Sequence, residues 1–138
     1  MNIESKTRFR FAAVITLLNV AIATGFSVAG LVSPELIIPA GSTPSSASAV
    51  FAMYAAARTA PLALAVLLSV ILGSEYGLMV LGSLAGAIQA CDALVGLASQ
   101  DVGKTIGPLV LAILESVAIY ILRPRRTAQA SSYNQPRM

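Results

Sequence analysis

Residues 76–98 read YGLMVLGSLAGAIQACDALVGLA, and the fold turns on how this run is read. It is long enough to cross a bilayer as a helix, which takes about 20 predominantly apolar residues. Yet Gln89 and Asp92 lie well inside it. A carboxylate in hydrocarbon costs roughly 2.5–3.5 kcal/mol on insertion scales, so it normally faces a partner or a wet cavity. Gln89 and Asp92 are three apart, and a helix puts them on one face. Gly82, Gly86 and Gly96 fall on that face too. Gly82 and Gly86 have the GxxxG spacing that lets a second helix approach closely. The run predicts a helix that supplies the polar seam of a small membrane bundle.

The composition agrees. Of 138 residues, 57% are hydrophobic and 11% charged, with a mean hydropathy of +0.81. A soluble domain carries about 25% charged residues because its surface must be solvated. The chain accommodates about four spans at roughly 20 residues each. Cys91 is the single cysteine and there is no histidine, which excludes an intrachain disulfide, a cysteine-based metal site, and imidazole catalysis, haem ligation or metal binding through His. No cofactor and no metal are expected. The net charge of +3 gathers at the two ends, without a basic stripe interleaved with aromatics, so it reads as a topology signal and not as a nucleic-acid footprint.

Three further spans follow from the same reading. Residues 1–10 form a basic flank before a first apolar run over 11–32, with Asn19 near its middle and Thr16 and Ala23 one turn away on the same face. A cleavable signal peptide ending at Ser27-Val28-Ala29 is the competing reading, and the length of the run favours a retained span. Pro34, Pro39 and a Gly/Ser/Thr cluster make residues 33–46 a loop. Leu36, Ile37 and Ile38 suit an interfacial segment or a lid over the bundle. The second span, 47–72, carries Arg58 near its centre with Tyr54 one turn earlier, and Pro61 leaves the carbonyl of Ala57 without its helical donor. A tight turn at 73–77 makes the second and third spans antiparallel. The fourth span, 105–122, holds Glu115 near its middle, with Pro108 expected in its first turn. The basic tail 123–138 reads as disordered.

Lys6, Arg8 and Arg10 flank the first span, and Arg123, Arg125 and Arg126 the last, whereas Lys104 is the only basic residue between spans on the opposite side. The positive-inside rule then gives an all-α, four-helix transmembrane bundle with both termini cytoplasmic, multi-pass in a bacterial inner (plasma) membrane. At about 1.5 Å per residue, Asn19, Arg58 and Glu115 fall near one depth, with Gln89 and Asp92 somewhat nearer the outer face. The expected centre is Arg58 between Asp92 and Glu115, the two acids sharing one proton as an acid/base pair. Asn19, Tyr54 and Gln89 support it. A purely structural reading stands beside this one, since buried ion networks also fix helix register. Cys91 reads as a packing residue.

The stretch from Met53 to Pro124 carries Ala57-Arg58 followed by Leu62-Ala63-Leu64, then Gln89, Asp92 and Ala93, then Gly107-Pro108. It resembles small bacterial and fungal four-span membrane proteins known only as domains of unknown function. The resemblance covers about half the chain and implies a four-helix fold with Arg58 and Asp92 facing inward. Some similar fungal proteins act on lipophilic natural products, including epoxide opening, which would give Arg58, Asp92 and Glu115 catalytic roles. Three functions compete. The first is binding or acid/base transformation of a small lipophilic molecule within the bundle. The second is proton-coupled transport, disfavoured for cations by a central Arg. The third is a structural or accessory subunit. The bilayer, such a ligand and a second copy docked through a small-residue helix face are the expected partners.

Overall fold

A computed structural model describes residues 3–36, 38 and 42–123. Within them the chain is all helix: α1 (Ile3–Val32), α2 (Ser46–Ile71), α3 (Glu75–Ala98) and α4 (Val102–Leu122), with one 3-10 turn at Pro34–Leu36. Each of the four is long and apolar enough to cross a membrane. They run alternately up and down. At one end Ser5 donates to Glu75 Oε1 (2.8 Å), and Arg8 donates to the carbonyls of Ile121 (2.5 Å) and Arg123. At the other end Lys104 Nζ donates to the carbonyl of Ile38 (3.2 Å).

The helix ends explain where the boundaries depart from the hydropathy pattern. α1 starts at Ile3, well before the apolar run, because its basic first turns are used. Arg8 closes the last carbonyls of α4, which have no partner inside their own helix. α2 starts with a capping box in which Ser45 and Ser48 exchange side-chain and backbone hydrogen bonds. α4 starts at Val102, earlier than expected, because Asp101 caps it by accepting from the Lys104 N–H (3.1 Å). Pro108 consequently lies inside α4 and not in its first turn. Its ring nitrogen cannot donate to the carbonyl of Lys104. That carbonyl faces Gly96 of α3, which is close enough that any Cβ there would collide with it.

Both hairpin turns end their helix the same way. The N–H of Ser74 reaches the carbonyl of Ser69 and that of Gly73 reaches Val70, with Gly73 at φ 63°. The N–H of Asp101 reaches Gly96 and that of Gln100 reaches Leu97, with Gln100 at φ 57°. These are Schellman closures, and the second places a side chain in the left-handed region that glycine normally fills.

Apolar packing gathers toward the end where α1 starts and α4 finishes. Phe9, Ala12 and Ala13 of α1, Val66 of α2, Leu78 of α3 and Leu122 of α4 belong to one buried cluster. α3 and α4 pack along their whole length, with Gly82 and Gly86 against Glu115. α2 is the least embedded helix: only Ala52, Thr59 and Val66 are buried. The predicted disorder of the tail and the placement of Ile37 and Pro39 lie outside the described residues.

Candidate functional site

The polar centre is built on Glu115, the only ionisable side chain among the described residues that is fully buried, with 0% of its surface exposed. α4 directs it across the two glycines of α3 toward α1. A Cβ on Gly82 would lie 2.6 Å from Glu115 Oε1, and one on Gly86 3.2 Å from its Cγ. The missing side chains are what make room for the carboxyl. Thr16 Oγ1 donates to Oε1 (2.6 Å) and Asn19 Nδ2 to Oε2 (3.0 Å). Gln89 Nε2 donates to Asn19 Oδ1 (2.7 Å), which fixes the Asn19 amide so that its N–H points at the carboxyl. Three helices thus close one chain of hydrogen bonds, and no buried side-chain polar atom among the described residues lacks a partner.

The expected arrangement of Arg58 between two acids does not form. Arg58 Nη2 lies 3.5 Å from Asp92 Oδ1, and this pair is half-exposed, with 53% and 39% of the two side chains accessible. It is therefore not a buried ion pair, and Glu115 receives only neutral donors. Two geometric facts separate the acids. Asp92 is about 9 Å along α3 from its C-terminal end, whereas Glu115 is about 20 Å along α4 from the adjoining N-terminal end. Asp92 is thus nearer that end of the bundle than Glu115, the direction the depth count gives, and the offset is about 10 Å. Moreover, residues three apart on a helix point about 60° apart around its axis. Gln89 consequently faces the centre while Asp92 is rotated toward α2.

Of the supporting residues, Asn19 and Gln89 are in the centre. Tyr54 is not: its side chain is exposed and makes no hydrogen bond to the centre. Cys91 is exposed on α3 rather than packed inside. Thr16 is the partner that went unassigned. It shares a helix face with Asn19, three residues on, but a threonine in an apolar span carries little contrast. Thr59 is a further buried hydroxyl, and it is held by the carbonyl of Ala55 (3.1 Å) in its own helix.

Two spaces adjoin the centre. An open groove of about 590 Å³ runs between α3 and α4. Small residues form its α3 side (Ser83, Ala87 and Ala90), and Ile113, Val117 and Tyr120 form its α4 side. Gly82, Gly86 and Glu115 are among the residues that line it, and the Glu115 side chain itself is fully buried beneath that lining. On the opposite side a small cavity of about 10 Å³ lies between Asn19, Thr59, Leu62 and Gln89. That is the lower limit of the space one water needs. Chemically, the centre offers a carboxyl whose two oxygens each keep a free lone pair, oriented by a hydroxyl and an amide. No family model, curated protein or solved structure matches the chain.

Proposed function

We propose that this is a multi-pass plasma-membrane protein, termini cytoplasmic, that binds a small lipophilic molecule in the groove between α3 and α4. Glu115 hydrogen-bonds the polar end of that molecule. The observation that carries the reading is the fully buried Glu115, oriented by neutral donors from another helix beneath the lining of an apolar groove. Ionisable groups at membrane depth generally mark sites, and an apolar pocket with a few convergent polar groups is the usual form of a ligand site. A ligand hydroxyl, carbonyl or epoxide oxygen at the floor would meet a group able to accept or exchange a proton. Acid/base transformation of the ligand would then run through Glu115 alone, because Arg58 and Asp92 are elsewhere.

A structural role is the second reading, favoured by the complete pairing of the buried side-chain polar atoms. Thermal stability of the purified protein in detergent, with a panel of lipophilic alcohols, ketones, epoxides and quaternary cations, separates the two. Glu115→Gln preserves the shape and the hydrogen bonds to Thr16 and Asn19, but offers the ligand neither a carboxylate charge nor a carboxyl proton. Binding predicts that a compound raises the melting temperature of the wild type and that Glu115→Gln stays folded but loses the rise. If no compound acts on the wild type, the centre is a helix pin and the proposal fails.

A further inference from the structure

We propose that the face of α2 and α3 bearing Arg58 and Asp92 is an interface with a second copy of this chain. The two residues form an ion pair at 3.5 Å that remains half-exposed on a bundle of four helices, each long and apolar enough to cross a membrane. Neither side chain has any other hydrogen bond among the described residues. One contact uses one of five guanidinium N–H groups and part of one carboxylate. Charges at membrane depth seldom face lipid and normally find protein partners.

The occupant follows from charge complementarity. The patch is neutral as a whole and carries one charge of each sign, so an anionic group attracted by Arg58 would be repelled by Asp92. A second copy has the matching pattern. The two charged groups are in contact and therefore at one depth. A twofold axis along the membrane normal preserves depth, so each Arg58 comes level with the Asp92 of the other copy. Four charges then alternate in sign, and both residues gain the partner they lack. This is the self-complementary arrangement that twofold interfaces require.

The surroundings suit such a seam. α2 is the least embedded helix, with three buried residues. Phe51 and Tyr54 lie on the same side of it as Arg58, both 70% exposed, and Val95 is exposed one turn beyond Asp92. Large apolar and aromatic side chains around a desolvated charge pair are the usual make-up of an interface core. The seam lies away from the α3–α4 groove, so it stands independently of the ligand reading.

The test reconstitutes the full chain in phosphatidylcholine vesicles, with donor- and acceptor-labelled copies read by energy transfer. Wild-type copies should show transfer that persists as lipid is added, and transfer that falls to the random-collision level overturns the proposal. Arg58→Asp puts acids at both positions of a copy, and Asp92→Arg puts guanidinium groups at both. Each alone should self-associate about tenfold less than the wild type. Mixed together they should pair, because both interchain contacts are then opposite in charge while both intrachain contacts remain repulsive. A mixture that associates no better than either variant alone overturns the proposal. If either single variant fails to fold, R58D/D92R decides the question. The double exchange restores every pair and should associate as the wild type does, and a folded but monomeric double variant overturns the seam.

Discussion

Replacing Gly96 by alanine tests how α3 and α4 are joined. The glycine faces a stretch of backbone, not a side chain. A Cβ there would meet the carbonyl of Lys104 and lie 2.6 Å from the Thr105 nitrogen. Neither can rotate away. Gly96 is held from its other side as well, since its own carbonyl accepts from Asp101 N–H (3.0 Å) and Ser99 Oγ (3.0 Å). Relief therefore requires the start of α4 to move out by about 1 Å, and a gap of that size forfeits a quarter to a half of each dispersion contact it opens. Overpacking costs about 1–3 kcal/mol, and backbone on both sides argues for the upper end. Alanine returns about 0.8–1.0 kcal/mol of helix propensity. The net cost is then about 1–2 kcal/mol. Gly25→Ala in α1 is the control, since nothing lies within 4 Å of its Cβ position. It should gain about 0.8–1.0 kcal/mol. The two variants should thus differ by about 2–3 kcal/mol in equilibrium unfolding in mixed micelles, followed by circular dichroism. Equal stabilities, or a Gly96→Ala variant more stable than the wild type, would refute the close approach of Gly96 to the Lys104 carbonyl.

Other outcomes follow from the same contacts. Glu115→Ala leaves the donors of Thr16 and Asn19 without an acceptor and opens a cavity, and should cost about 2–5 kcal/mol in the same unfolding assay. Glu115→Gln should cost less than about 1.5 kcal/mol, because its oxygen can accept from Asn19 while its amide donates to the Thr16 hydroxyl. Gln100→Gly should stabilise by about 0.5–1 kcal/mol, since it removes a side chain from the left-handed region. Asp101 is held below the ordinary aspartate value of 3.8, first by the backbone N–H of Lys104 and then by its side chain. A carboxyl with a depressed folded-state pKa contributes its stability above the unfolded value and loses it as pH falls through the folded one. Melting temperature should therefore drop as pH falls below about 4. Asp101→Asn, which keeps a capping oxygen without the charge, should show a shallower drop over that window.

Four long apolar helices were legible in the sequence because apolar runs separated by Pro, Gly and charged clusters are a strong signal, and the structure has four helices long and apolar enough to cross a membrane. Their starts were less legible. Lys6, Arg8 and Arg10 read as flank because they are charged, yet charge does not end a helix, and Arg8 has carbonyls of α4 to bind. Asp101 reads as loop but is a cap. The candidate centre was legible as a set of residue types: Asn19, Gln89 and Glu115 stand out in apolar surroundings and do converge. Which residue faces which was not legible. Depth counts fix position along a helix to about a turn and say nothing of its rotation. Charge and similar depth together join Arg58 to the two acids in the sequence, and opposite charges do attract. The rotation of α3 decides the outcome by bringing Gln89 to the centre and Asp92 to its edge.

That rotation also fits the chemistry of the two positions. A carboxyl enclosed by three helices can be satisfied by fixed neutral donors, because Thr16 and Asn19 are held in place and neither can leave. An arginine has five N–H groups and needs acceptors on several sides, which the narrow space between α1, α3 and α4 does not provide. It can be accommodated only at an edge, where a further chain can bring more acceptors. With Asp92 beside it the edge is neutral overall, whereas Arg58 in the centre would have paired with Glu115 and occupied its carboxyl. The division therefore keeps Glu115 free of a salt bridge. It follows that variants at Arg58 should change association between copies and leave the ligand response of Glu115 intact. Glu115→Gln should do the reverse. Loss of both properties in either variant would mean that the two polar regions are one.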